Sequence, residues 1–159
     1  MEISAYGKVN LTFEVLDRLD DGYHLVTTVM QTIALADKLH FEASDDLKVE
    51  CEYRELAGDQ NLVWKAALEL AKAGNIQPEA KITIEKHIPV AMGLGGGSSD
   101  AATALLGLNR FWNLGFSREK LATIAATLQT FRSSYGAALR WPKEEVNRYP
   151  NCQLCRRWL

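Results

Sequence analysis

The chain has 159 residues, 47% hydrophobic and 24% charged, which suits one globular domain with a real core and calls for no second. A net charge of −2 disfavours a broad nucleic-acid surface, no apolar run approaches the roughly 20 residues of a membrane span, and Met1-Glu2-Ile3-Ser4 lacks the basic and apolar parts of a signal peptide. Three irregularly spaced cysteines argue against a secreted disulfide framework, so the expected location is cytoplasmic.

In chain order, Val9, Leu11, Phe13 and Val15 alternate as one face of a half-buried strand, and residues 17–22 supply the turn after it. Residues 23–33, rich in Val and Thr, predict a second strand, with weaker strand signals at 39–42 and 47–51. Asn61 precedes a helical pattern over 62–72, and Ile82 and Ile84 mark a short strand. A glycine-rich turn follows, then a helix over 101–108 whose opening is expected at Ser98 or Ser99. Ser117 caps a last helix carrying Leu121, Ile124 and Leu128. The order of elements is α+β, without internal repeats or low-complexity tracts.

The turn reads Pro89-Val90-Ala91-Met92-Gly93-Leu94-Gly95-Gly96-Gly97-Ser98-Ser99-Asp100. Glycines without Cβ atoms let successive backbone N–H groups converge on an anion, and the following helix adds the positive end of its dipole. This pattern predicts a phosphate-binding loop and chemistry with a nucleoside triphosphate. It lacks the Gly-Lys-Ser/Thr ending of a P-loop and the third glycine of the dinucleotide fingerprint, and a flexible linker would not run directly into Ser-Ser-Asp-Ala-Ala and a helix.

The segment from Pro89 to Ala102 resembles the phosphate loop of the GHMP kinases. Ala5-Tyr-Gly-Lys8-Val-Asn10-Leu, Asp21-Gly-Tyr23-His24, Thr28-Val-Met-Gln-Thr32 and Asn61-Leu62 are similar to the branch of that family acting on 4-diphosphocytidyl-2-C-methyl-D-erythritol, over about residues 2–128. The resemblance implies a GHMP kinase N-terminal ATP-binding domain over 1–128, like ribosomal protein S5 domain 2, with the ferredoxin-like C-terminal domain absent. It also implies ATP and Mg²⁺ as cofactors and a small-molecule substrate whose 2-hydroxyl is phosphorylated. Neither nucleic acid nor membrane is expected as a partner.

By the same resemblance Lys8 is the catalytic lysine near the substrate hydroxyl and the transferred phosphate, and Asn10, on the same strand face, helps hold the substrate. Tyr23 and His24 correspond to the pair that packs against and hydrogen-bonds the cytosine ring. Asn61, Leu62 and Lys86 fall where the family contacts adenosine, although Asn61 could simply cap its helix. Pro89, Val90, Ala91, Met92, Gly93, Leu94, Gly95, Gly96, Gly97, Ser98 and Ser99 complete the expected ATP site, the two serines offering hydroxyls to phosphate or Mg²⁺. Asp100 reads as a carboxylate compensating the helix dipole, and no dedicated metal site is expected.

After Leu128 the resemblance breaks. Family members continue with Gly-Ser-Asp-Val-Pro-Phe-Phe and a Gly-Gly pair, the Asp being the proposed base or orienting group for the attacking hydroxyl, whereas this chain reads Gln129-Thr-Phe-Arg-Ser-Ser-Tyr-Gly136. Residues 129–159 carry six Lys/Arg against two Asp/Glu, a net +4 that leaves −6 for the first 128. Read two bases out of frame, the codons for Gln129 to Ala138 can yield Asp-Val-Pro-Phe-Phe-Leu-Arg-Gly-Gly, and those for Trp141 to Asn147 can yield Ala-Gln-Gly-Arg-Gly-Glu. These matches predict a frameshift near Leu128, a poorly ordered non-family tail, and an impaired or lost kinase activity. Cys152 and Cys155 form one pair without a second, too little for zinc. Three rival readings remain: a non-catalytic nucleotide-binding fragment, an S5-like RNA-binding domain, disfavoured by the acidic body, and a GHMP kinase for another small alcohol, disfavoured by Asp21-Gly-Tyr-His.

Overall fold

The computed structural model describes residues 1–18, 24–53 and 56–128. Four strands, β1 (Glu2–Arg18), β2 (His24–Glu42), β3 (Leu47–Cys51) and β4 (Ala80–Glu85), form a sheet in the order β1-β2-β4-β3. β1 and β2 run antiparallel from the pair Glu2 and His40 to the pair Arg18 and His24, with register shifts after Tyr6, Asn10 and Val15. β2 and β4 are also antiparallel, while β3 and β4 are parallel and are joined across helix α1 (Leu62–Gly74), as a parallel pair requires.

β1 and β2 are far longer than their alternating patterns suggested. The two segments expected at 23–33 and 39–42 are one strand of 19 residues. Because β4 pairs with β2 only between Lys38 and Glu42, the rest of β1 and β2 projects as a two-stranded ribbon. Leu11, Phe13 and Val15 are consequently 63%, 52% and 53% exposed, so the strand expected to be half buried has no covering layer among the described residues. Alternation identified the strand; it could not reveal that no described residue covers Leu11, Phe13 and Val15.

The helices cover the other part of the sheet. α1 buries Val63, Ala66, Ala67, Leu70 and Ala71, a spacing of three and four residues that puts them on one stripe. It ends at Asn75, whose left-handed φ of 49° is followed by the Ile76 N–H donating to Ala71 O at 3.1 Å. Helix α2 (Gly96–Phe111) begins at Gly96, earlier than the serines where the sequence placed its start, and buries Thr103, Ala104, Gly107 and Leu108. Helix α3 (Arg118–Thr127) follows the Ser117 cap, whose hydroxyl accepts from Lys120 N–H at 3.3 Å, and buries Leu121 and Ile124.

The core joins Leu39, Phe41, Ile82 and Ile84 of the sheet to Leu70, Leu105, Leu108 and Leu121 of the helices. Each such side chain is worth roughly 1.5–3 kcal/mol when fully buried. Among the described residues no helix is long and apolar enough to cross a membrane. The tail over 129–159, with its expected poor order and its cysteine pair, lies outside the described residues.

Candidate functional site

The glycine-rich turn links the end of β4 to the start of α2, and its backbone shows why small residues stand there. Ala91, Gly93 and Gly95 have φ of 61°, 74° and 74°, the left-handed region that side chains disfavour. Gly95 is the N-cap of α2 and supplies no side-chain hydrogen bond to the first turn of the helix. A Cβ at Gly95 would stand 3.2 Å from both Cε and Cγ of Lys8, and a Cβ at Gly93 would meet nothing within 4 Å. One side of the turn is therefore closed by a lysine while the other stays open. Left-handed glycines at a helix start beside a lysine suit an anion.

Lys8 lies on β1 beside this turn. Its backbone N–H donates to Leu94 O at 2.9 Å, and its Nζ donates to Gly93 O at 2.7 Å and to Asn10 Oδ1 at 3.4 Å. The period of two thus brings Lys8 and Asn10 together, as their spacing implied, despite the register shift after Tyr6. Partial burial lowers the Lys8 pKa below its ordinary value. A cation held by two neutral acceptors gains charge complementarity by exchanging them for phosphate oxygens. Ser99, in contrast, turns inward, its Oγ donating to Tyr6 O at 2.8 Å, so it joins α2 to β1.

The remaining expected site residues divide. Asn61 is the N-cap of α1: its Oδ1 accepts from Val63 N–H at 2.8 Å and its Nδ2 donates to Leu56 O, which engages both ends of the amide within the fold. Leu62 packs at the edge of the core and comes near the turn, a Cβ at Gly97 standing 3.6 Å from its Cδ1. Lys86 is turned into the protein, its side chain 5% exposed and its Nζ bound to Asp37 and Asp100. Tyr23 lies outside the described residues, as does the side chain of His24, whose backbone pairs with Arg18 at the far end of the ribbon.

Sequence reasoning missed Asp37 and undervalued Asp100. Asp37 and Asp100 are 0% and 4% exposed, and Lys86 is the cation between them. The signal for Asp37 was present: it shares the period-two face of Leu39 and Phe41, so an acid stands on the core side of β2. Asp100 is more than dipole compensation, because its burial pushes the carboxyl up to about 7, against the pull of Lys86 and with a smaller push from Asp37. Burial lowers the Lys86 pKa, but the two carboxylates outweigh it and the net shift is upward.

A stability consequence follows from Asp100. The folded chain keeps a proton that the unfolded chain, with a carboxyl near its usual 3.8, releases. Stability therefore falls as pH rises from about 4 to about 7, where the ionised form bears its full burial penalty. Asp100→Asn should remove this slope, so in urea titrations the variant gains on the parent through that window and runs parallel to it above. A constant difference between the two from pH 4 to pH 8 would contradict the assignment.

Among the described residues no group of three or more His, Cys, Asp or Glu could hold a metal ion.

Residues 61–138 match the GHMP kinases N terminal domain, a stretch that runs past Leu128. The 4-diphosphocytidyl-2-C-methyl-D-erythritol kinase of Listeria monocytogenes serotype 4a is 43% identical over 98% of this chain and 56% of its own length. The enzyme of that name from Pelotomaculum thermopropionicum is 47% identical over 78% of this chain and 44% of its own. A crystal structure of 4-(cytidine 5'-diphospho)-2C-methyl-D-erythritol kinase superposes with a TM-score of 0.71 at 32% identity, covering 96% of this chain and 65% of that one. The chain spans about half the length of the curated relatives it matches.

Proposed function

We propose that the chain carries the N-terminal domain of a GHMP kinase, the family whose model matches residues 61–138, and that it binds ATP with Mg²⁺ at the glycine-rich turn. The reaction served is phosphorylation of the 2-hydroxyl of 4-diphosphocytidyl-2-C-methyl-D-erythritol, the substrate in the name of the Listeria and Pelotomaculum relatives. A cytoplasmic location goes with this reading. The single observation that carries it is the open, uncapped start of α2 facing the Lys8 ammonium across Gly93 and Gly95.

In this reading the backbone N–H groups from Gly95 to Gly97 receive the phosphates, and Mg²⁺, when bound, would offset charge on the triphosphate. Lys8 releases Gly93 O and takes up an oxygen of the transferred phosphate, where its charge is worth most as negative charge spreads in the transition state. Asn10 orients the substrate hydroxyl beside it, and Tyr23 with His24 receives the cytosine. Asn61 and Leu62 border the adenosine. Lys86 supports the turn from below, with two of its three ammonium protons spent on Asp37 and Asp100.

Phosphoryl transfer by a positioned hydroxyl also needs an orienting carboxylate, and the tail after Leu128 lacks the one the family supplies. Losing such a group costs about 10²–10⁴ in rate. The 159-residue chain is therefore proposed to bind nucleotide and to turn over slowly or not at all. Calorimetry decides the first part: titrating ATP with magnesium into folded chain should give saturable heat, and a flat titration ends the reading.

A shifted reading frame near Leu128 is proposed as the origin of the tail, supported by its +4 charge against −6 for the body and by the codon matches. An in-frame tail is the rival, favoured by the Listeria alignment over 98% of the chain. Coding DNA across Leu128 should show a small insertion or deletion relative to the Listeria gene; an uninterrupted frame there refutes the shift.

A further inference from the structure

Three charged groups sit under the glycine-rich turn, where none touches solvent appreciably. Lys86 follows β4 directly and leads into the turn; its Nζ donates to Asp100 Oδ2 at 2.8 Å and to Asp37 Oδ2. Asp37, on β2, spends its other oxygen on the main chain entering the turn, accepting from His87 N–H at 2.6 Å and Ile88 N–H at 2.7 Å. Asp100 lies in the opening turns of α2, on the chain leaving the turn. A Cβ at Gly96 would stand 3.2 Å from the Lys86 Nζ, so the first residue of α2 rests on the same ammonium. Both stems of the turn are thus tied to one another and to β2 through a single buried cation.

We infer that Asp37, Lys86 and Asp100 form a buried clamp that positions the glycine-rich turn for its anion, with Lys86 and Asp100 acting as positioning residues. The inference deepens the ATP-binding reading and rests on it for what the turn holds. Two features separate a clamp from ordinary core packing. Once Asp100 is ionised one cation faces two carboxylates, an imbalance that costs stability, and Asp100 Oδ1 is buried with no hydrogen-bond partner. A hydrophobic side chain at 100 would give α2 a more stable seat; a carboxylate there gives a directional bond to Lys86 instead.

Asp100→Ala removes that bond and the surplus charge while leaving Asp37 and Lys86 as a balanced pair. The variant should melt no lower than the parent. Its ligand-free turn, residues 89–99, should exchange amide hydrogens about tenfold faster or more, and its affinity for ATP with magnesium should fall by a similar factor. Asp100→Asn keeps an acceptor for Lys86 and should restore both to parental values. If Asp100→Ala leaves exchange over 89–99 unchanged, or if Asp100→Asn loosens the turn as much as Asp100→Ala does, the clamp is overturned. Exchange is read without nucleotide, so a parent that fails to bind ATP defeats the functional reading alone and leaves this comparison intact.

Discussion

Gly95→Val should reduce affinity for ATP with magnesium by about one to two orders of magnitude while leaving the fold in place. Two costs combine at this position. The φ of 74° is one that a β-branched residue adopts only under strain, about 1–3 kcal/mol. A Cβ there also meets Cε and Cγ of Lys8 at 3.2 Å, so the ammonium is pushed off its place beside Gly93 O or the turn opens. Gly93→Ala provides the contrast, since it has the same φ of 74° but open space around its Cβ. It should weaken binding by about tenfold at most. Calorimetry on the three proteins, with melting temperatures as the check on folding, tests the ordering; equal affinity in the parent and Gly95→Val refutes it.

Gly107→Ala should be the most damaging small substitution in the body of the domain. The methyl would lie 2.8 and 3.0 Å from Cε2 and Cε1 of Phe41, and closer still to Cζ. Phe41 is 1% exposed at the centre of the core, so the ring has nowhere to go without moving β2 and α2 apart. Overpacking of this kind costs about 1–3 kcal/mol, more than the helix gains from replacing glycine with alanine. The melting temperature should drop by roughly 5–10 °C. Because α2 carries the turn at its start, nucleotide affinity should fall with it. Phe41→Leu in the same chain relieves the clash and should recover part of the loss. Unchanged melting of Gly107→Ala would show that the helix and sheet can separate here without cost.

Local signals were readable wherever one element carried its own punctuation. Asn61 before an apolar stripe, Ser117 before Leu121 and Ile124, and the run of small residues from Gly93 to Gly97 each announced α1, α3 and the turn, because caps and positive φ depend on near neighbours. What depended on distant partners was not readable. Asp37 and Lys86 are 49 positions apart, and no local pattern says that one neutralises the other. Lys86, expected toward adenosine, is drawn inward by partners of that kind, whereas Asn61, expected there too, is engaged by its near neighbours Leu56 and Val63 as a cap. The start of α2 came out early because Gly96 and Gly97 are poor helix formers alone and are held by Ile88, Lys86 and Leu62 around them.

The ribbon of β1 and β2 has a cost that reaches beyond the single molecule. Within the described sheet β1 is a terminal strand, and Leu11, Phe13 and Val15 lie exposed along it. A long apolar rim with unshared amides and carbonyls invites a neighbour to add as the next strand, the route to self-association. The register shifts after Tyr6, Asn10 and Val15 cut that rim into short stretches, none of which offers an incoming chain a continuous ladder. The irregularities that bend the strand carrying Lys8 also act as gatekeepers against aggregation.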